Sequence, residues 1–431
     1  MQKTRTARIL VKKKKSNHRL LKGAVYSLFL LIVVIIGTYV WMNRDTLPMG
    51  EEPGDPANAG ISQPSPEPAP TPDPSHEPSL EPSEAPENEP EEEPAAEPDP
   101  SGAENEEEEG VSQQGQQGTV TISFVGDVLL GSTVENLLKQ YGYDYPYQDV
   151  RSLLQASDFT VANLETPITD RGTPEEEKSF VYRSSPEVLP AFKEAGFDLV
   201  SLANNHMMDY GVIGLLDTLD HLDKNGIHRV GAGRDVEEAF RPFIWEEEGL
   251  RIAFLNFTRV VPSGDWKAGH EFPEGLADTY NHTKPVEAIA NAKEEADLVI
   301  VLAHWGEERM NEPNETQKEL ARRFIDAGAD LIIGSHPHVL QGFEQYKGKW
   351  IAYSLGNFIF TTREDAPQTL ESAILEAACS AEGCDLRMIP IFTQWAKPVV
   401  MEDEQGQQLF RRISDVSPGA EILEDGRIVT R

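Results

Sequence analysis

Short apolar runs recur along the last three-quarters of the chain, and several stop abruptly at a polar group. Thr119–Val125 (TVTISFV) ends at Gly126-Asp127, Phe159–Ala162 at Asn163-Leu164-Glu165, and Asp198–Ala203 at Asn204-Asn205-His206. Asp297–Ala303 (DLVIVLA) ends at His304-Trp305-Gly306, and Leu331–Ile333 at Gly334, followed by Ser335-His336-Pro337-His338. Runs of this length, rich in Val and Ile and bounded by turn residues, predict strands. Helical spacing fills the gaps at Glu187–Ala195, Gly214–Lys224, Pro285–Ala296 and Glu315–Ala327. Leu215, Leu216, Leu219 and Leu222 fall on one side of the second of these, and Gly196 and Gly328 are placed to end the first and the last. Leu250–Phe257 predicts a further strand, and after Phe358 the pattern turns to strands alone, at Thr369–Ala377 and Asp385–Phe392. The alternation predicts an α/β sheet with antiparallel additions.

The first quarter of the chain is different. Met1–Lys22 holds nine Lys and Arg and no acid. Residues 23–43 hold no charge, and about 20 apolar residues at a rise of 1.5 Å span roughly one hydrocarbon thickness. Tyr26, Tyr39 and Trp41 flank that stretch as interfacial aromatics do. The expected reading is a basic cytoplasmic tail (1–22), a single uncleaved transmembrane helix (23–43) and everything later outside the cell; a cleaved signal peptide is the alternative. Residues 44–118 are dense in Pro and Glu, and self-repulsion and proline make them an extended, disordered stalk. A folded domain at 119–393, with a C-terminal extension at 394–431, follows.

Charge narrows the function. The whole chain carries −35, and residues 119–431 alone carry −24. That excludes a broad surface for nucleic acid or anionic lipid. An anionic substrate then needs a local positive centre, which bound metal supplies. Cys379 and Cys384 are the only cysteines; outside the membrane they either close a small hairpin disulfide or remain unlinked thiols.

In open α/β sheets ligands gather at the carboxyl ends of strands. Asp127, Glu165, Asn205, His206, His304, His336 and His338 all sit at such ends. Each alone has a structural explanation, as a helix cap, a solvated acid or a turn residue. Five clusters, each directly after an apolar run, point instead to a shared site. In an extended H-P-H segment, side chains two apart face the same way, so His336 and His338 are expected to converge. A mixed Asp, Glu, Asn and His set suits Mn, Fe or Zn, one ion or two. A histidine free of metal can give a proton to a leaving group.

The strings FVGD, ANLETP, SLANNHMMDYG, AHWGEE, GSHPHV and YSLGNF occur in this order. Together they resemble the CapA family of capsule synthesis proteins, also described as poly-gamma-glutamate synthesis or PgsA-like, from about Val120 to Phe392. The resemblance implies a branch of the calcineurin-like metallophosphoesterases and a four-layer α/β/β/α sandwich. By motif it implies Asp127 on one metal, Glu165 as the bridging acid, Asn205 and His304 as ligands, His336 and His338 as one ligand for each metal, and His206 as the catalytic histidine. Asp209 and Glu307 are candidate acid/base or supporting groups, with helix-start or loop acids as the alternative. Asn357 is a candidate pocket residue and Arg183 a candidate anion contact. Two departures stand out. Leu129 replaces the histidine of the usual D-x-H, and Asn163-Leu164-Glu165 replaces the usual G-D-x-x-(D/N). The expectation is a membrane-anchored extracellular capsule factor carrying a metal-binding, hydrolase-like site, working on an anionic surface polymer or with its synthase complex. The alternatives are a metal-dependent phosphoester or amide hydrolase, and a non-catalytic polymer-binding module.

Overall fold

The computed structural model describes residues 118–361 and 366–431. The expected tail and transmembrane helix, and the stalk but for Gly118, lie outside the described residues. Among the described residues no helix is long and apolar enough to cross a membrane.

Two sheets lie face to face. In the described residues one has eight strands, with Val120–Val128 central and Phe159–Leu164, Leu199–Ser201 and His228–Val230 parallel to it on one side. On its other side the long antiparallel pair Glu371–Ser380 and Gly383–Gln394 is added. The second sheet has six strands, ordered Phe343–Tyr346, Lys349–Ala352, Leu331–Ser335, Leu298–His304, Leu250–Thr258 and Phe243–Glu247.

The fully apolar character of Leu298–Ala303 follows from its place. Leu298, Ile300 and Leu302 face the other sheet, while Val299, Val301 and Ala303 face helices, so neither face meets water. Ile122, Phe124, Val161 and Leu199 meet Ile252, Phe254, Leu331 and Ile333 between the sheets. Leu189, Phe192, Leu215, Leu219 and Leu222 cover the outer face of the first sheet; Ile289, Leu320 and Phe324 cover that of the second. The layers therefore run helix, sheet, sheet, helix.

Most expected elements form within a few residues of their expected bounds. The helix at Gly214–Lys224 begins earlier, at Gly211. Glu187–Ala195 divides into a 3-10 turn at Pro186–Val188 and a helix at Leu189–Glu194. The first strand runs three residues past Val125, because beyond an irregularity it pairs with Asn357–Ile359 as well as with Phe159–Leu164. Gly126 makes this possible: a Cβ there would meet the Gly356 carbonyl oxygen at 1.9 Å. Residues 394–431 supply an edge strand (Lys397–Val400) and a helix (Asp403–Asp415), and Leu409, Phe410 and Ile413 enter the core between the sheets. Cys379 and Cys384 face each other across the antiparallel pair and are joined by a disulfide.

The segment after Glu165 is tied to the helix Gly211–Lys224. Ile168 N–H donates to Thr218 Oγ1 (2.8 Å), Thr169 Oγ1 donates to Asp217 Oδ2 (2.6 Å), and Arg171 Nε donates to the same oxygen (3.0 Å). Arg171 holds the Asp217 carboxyl below its ordinary range, and Thr169 adds to this. Removing a buried hydrogen-bonded carboxylate leaves its partners unsatisfied. Asp217→Ala is expected to cost about 1–3 kcal/mol at pH 7. A lowered native pKa contributes stability that is present above the unfolded value near ~3.9 and is lost as pH falls through the native one. Urea unfolding of both chains should therefore show the gap narrowing below about pH 4; an equal gap at pH 3 and pH 7 contradicts the assignment.

Candidate metal centre

The carboxyl ends of both sheets meet at one place. In the first sheet Asp127 lies between Asn163 and Asn357 on the two parallel neighbours. In the second, His304 ends its strand opposite Ser335. Asn163 joins the two sheets: its Nδ2 donates to Asp127 Oδ1 (2.8 Å) and lies 3.4 Å from His304 Nδ1. Its Oδ1 accepts from Ser201 Oγ (3.1 Å) and Asn204 Nδ2 (3.3 Å).

Six expected ligands come together here. Glu165, His304 and His336 form one group of possible donors, and Asp127, Glu165 and His338 a second, the donor atoms of each lying within 4.8 Å of one another. Glu165 belongs to both. Asn205 Oδ1 joins the first group, 2.8 Å from His304 Nε2, which lies 3.8 Å from Glu165 Oε1. The first group thus has four donors and the second three. Leu129, where a histidine would supply a fourth, is buried among apolar side chains.

The chemistry of these groups fits a cation. Both oxygens of Glu165 are buried without a hydrogen-bond partner, and so is Nδ1 of His336. Burial, with Asp127 beside it, pushes the Glu165 carboxyl well above its ordinary pKa. Burial holds His304 well below its usual range and brings His336 down to about 3. Burial also opposes a charge on His338, but Glu165 and Asp127 outweigh it and push that ring up to about 9. Glu165 and Asp127 thus draw a positive charge to this point, and a proton on His338 provides it.

The two histidines do not converge as expected. The segment is not extended: His336 has φ 97° and His338 φ 58°. Positive φ at both residues turns each ring separately, leaving their centroids 5.8 Å apart and serving different donor groups. Gly334 allows the tight strand exit, since a Cβ there would meet the Tyr353 carbonyl oxygen at 2.0 Å, where Trp305 Nε1–H also donates. His338 is oriented through Nδ1, 2.9 Å from Asn357 Oδ1 and 3.2 Å from Asp127 Oδ2.

Beside the donors lies a second arrangement. His206 Nδ1 bonds Asp209 Oδ2 (2.7 Å), which also accepts from the Tyr182 N–H (2.8 Å). The Lys178 ammonium contacts Asp209 Oδ1 and the Asn205 carbonyl, and lies 3.2 Å from His206 Nδ1. The Tyr182 ring packs 4.7 Å from the His206 ring. Burial lowers the His206 pKa despite Asp209. With Nδ1 engaged, Nε2 is the nitrogen left for chemistry.

Three expected roles change. Glu307 is exposed, as is its neighbour Glu308, and it is the charge of Glu308 that reaches Glu165, Tyr182 and His338. Asn357 is fully buried between His338 and the Thr369 carbonyl, so it orients His338 and does not line a pocket. Arg183 is exposed and stacks over Tyr210, donating to the Asp170 carbonyl. The cation beside the donors is Lys178, which follows three glutamates in a loop and carries no sequence signal. Asn163 was legible only as part of the string before Glu165.

Residues 121–362 match the family described as bacterial capsule synthesis protein PGA_cap. The chain belongs to this family. Among relatives of the PGA_cap chain is the "PGA biosynthesis protein CapA" of Bacillus subtilis, 35% identical over 72% of this chain and 81% of that one. Another is the "Capsule biosynthesis protein CapA" of Bacillus anthracis, 35% identical over 70% and 74%. Among solved structures, a 5'-nucleotidase from Candida albicans is similar at 14% identity and a TM-score of 0.34, over 62% of this chain and 51% of that one.

An unpartnered buried carboxylate makes a clear prediction. Added Mn or Zn should stabilise the full-length chain, by about 2.7 kcal/mol at a hundred times the dissociation constant. Glu165→Gln puts a neutral isostere where burial already disfavours the charged carboxylate, so without metal it should melt no lower than wild type, while its response to metal disappears. A variant that still gains stability from metal contradicts the shared role of Glu165.

Proposed function

We propose that this PGA_cap protein is a membrane-anchored capsule factor whose folded domain lies outside the cell and acts on poly-gamma-glutamate or a similar anionic polymer through a metal-dependent, metallophosphoesterase-like site. The observation that carries the site is the Glu165 carboxylate, buried, without a donor, and shared by two donor groups. The oxygen and imidazole donors favour Mn, Fe or Zn. The names of the Bacillus relatives support the polymer. The basic tail followed by an uncharged stretch supports the anchor, with the tail inside. The Cys379–Cys384 disulfide supports an oxidising, extracellular setting. A single membrane helix forms no export path, so a synthase complex is the natural partner.

Glu165, Asn205, His304 and His336 would hold one ion, and Asp127, Glu165 and His338 a second or weaker one. When bound, such a metal supplies a Lewis-acid centre that polarises an amide or phosphoryl oxygen. The chain's own residues do the rest. Asp209 fixes the His206 ring through Nδ1, leaving Nε2 to give a proton to the leaving atom. Lys178 and the Tyr182 N–H hold Asp209 in turn. Leu129 leaves the Asp127 side one donor short, and this favours either a single-metal enzyme or a module that binds polymer without cleaving it.

Turnover separates these. With the full-length chain loaded with Mn, hydrolysis of poly-gamma-glutamate or of a phosphodiester is expected, and His206→Ala should lower kcat about 10²–10⁴-fold with metal content retained. A metal-loaded wild-type chain that cleaves neither substrate overturns the enzymatic reading and leaves the binding module.

A further inference from the structure

Many basic side chains of the described domain lie against carboxylates, as Arg229 and Arg234 do with Glu238, and Lys293 with Asp330. Arg259 and Lys267 are exceptions. Arg259 Cζ lies 4.2 Å from the ring centroid of Tyr280, and Lys267 Nζ lies 3.9 Å from the same centroid. Among the described residues neither forms an ion pair. Glu319 feels the charge of Arg259, but its carboxylate is bonded by Arg323 at 2.6 and 3.1 Å. Two cations on one aromatic ring repel each other, and in a domain of charge −24 carboxylates are plentiful. An aromatic face holds a cation in place without neutralising it, so the N–H donors stay available for an anion from outside.

This pair is attached to the metal centre. The Arg259 peptide N–H donates to the carbonyl of His304 (2.8 Å). Lys267 follows Trp266, whose ring lies 5.0 Å from the Lys178 ammonium beside His206. A third cation without an ion-pair partner among the described residues, Arg309, is exposed and held at φ 65°, with its N–H donating to Pro337, between the two ligand histidines (2.7 Å).

We propose that Arg259 and Lys267, mounted on Tyr280, together with Arg309, form a docking ledge that grips successive carboxylates of an anionic polymer and leads it to the metal centre. This rests on the proposed function and names how its substrate is held. Arg259 and Arg309 offer a carboxylate paired N–H donors, and Lys267 offers a point charge. A ledge of local positive charge also reconciles a strongly acidic domain with a polyanionic substrate, because attraction over less than a Debye length outweighs the screened repulsion of distant acids.

The test uses the full-length, metal-loaded chain and a labelled oligo-gamma-glutamate of defined length, with inorganic polyphosphate as a second probe. The double variant Arg259→Gln, Lys267→Gln is expected to bind the oligoglutamate about tenfold more weakly, with a shallower salt dependence, from two lost charge pairs at half-buried cations. Its metal content and melting temperature should match wild type. Lys284→Gln, which removes a lysine stacked on Phe240 elsewhere, should leave binding unchanged. Undiminished binding by the double variant overturns the ledge, as does an equal loss in the Lys284 control. So does a wild-type chain that binds polyphosphate but no oligoglutamate. If the double variant binds normally while His206→Ala still abolishes hydrolysis, the ledge fails and the catalytic reading stands. If wild type binds through the ledge yet never cleaves, the ledge stands and the catalytic reading fails.

Discussion

Removing a carboxylate from water without a donor costs on the order of several kcal/mol. The fold puts Glu165 in that position, with both oxygens buried and unmatched. Much of the surrounding structure makes sense as provision for a positive charge at this point. Asp127 adds a second buried carboxylate, His304 and His336 are kept neutral by burial, and His338 takes up a proton that a metal would displace. Such a centre is tolerable only on a rigid base, and the double-sheet core provides one. Asp127, Asn163 and His304 project from strands buried on both faces, so small displacements meet close packing on either side.

Around the donors the polar groups are almost all engaged. Asn163 ties the two sheets together, Asn357 orients His338, and Ser335 lies 3.1 Å from His304 Nδ1. Orienting partners of this kind tune ligand direction and basicity. The His206–Asp209–Lys178 arrangement shares the backbone of Asn205, so the His206 ring and the Asn205 side chain are positioned together. The relatives' names and the donor geometry are independent observations, and the proposed polymer-handling site at the sheet ends rests on both.

The sequence exposed the strand ends because each apolar run stops at a charged or imidazole residue, and that transition survives whatever the exact register. It could not show how His336 and His338 diverge, because positive φ at non-glycine residues follows from tertiary packing. Nor could it separate Glu307 from Glu308, adjacent exposed acids of which only the second has a charge felt at Glu165 and His338. Lys178 was hidden in a run of acids, and only folding brings it to Asp209. The helix Asp403–Asp415 did leave a signal, in Leu409, Phe410 and Ile413, but its polar surroundings masked it. The edge hairpin of Phe343–Tyr346 and Lys349–Ala352 depends on a turn at Lys347-Gly348 whose short strands carry little periodicity.

The most direct measurement is the metal content of the purified full-length chain beside His336→Ala and His338→Ala. At least one tightly held Mn, Fe or Zn is expected in wild type. That ion should be lost in His336→Ala, from the four-donor group, with a smaller effect of His338→Ala on the three-donor group. A wild-type chain that holds no metal after incubation with Mn and Zn would contradict the account at its centre.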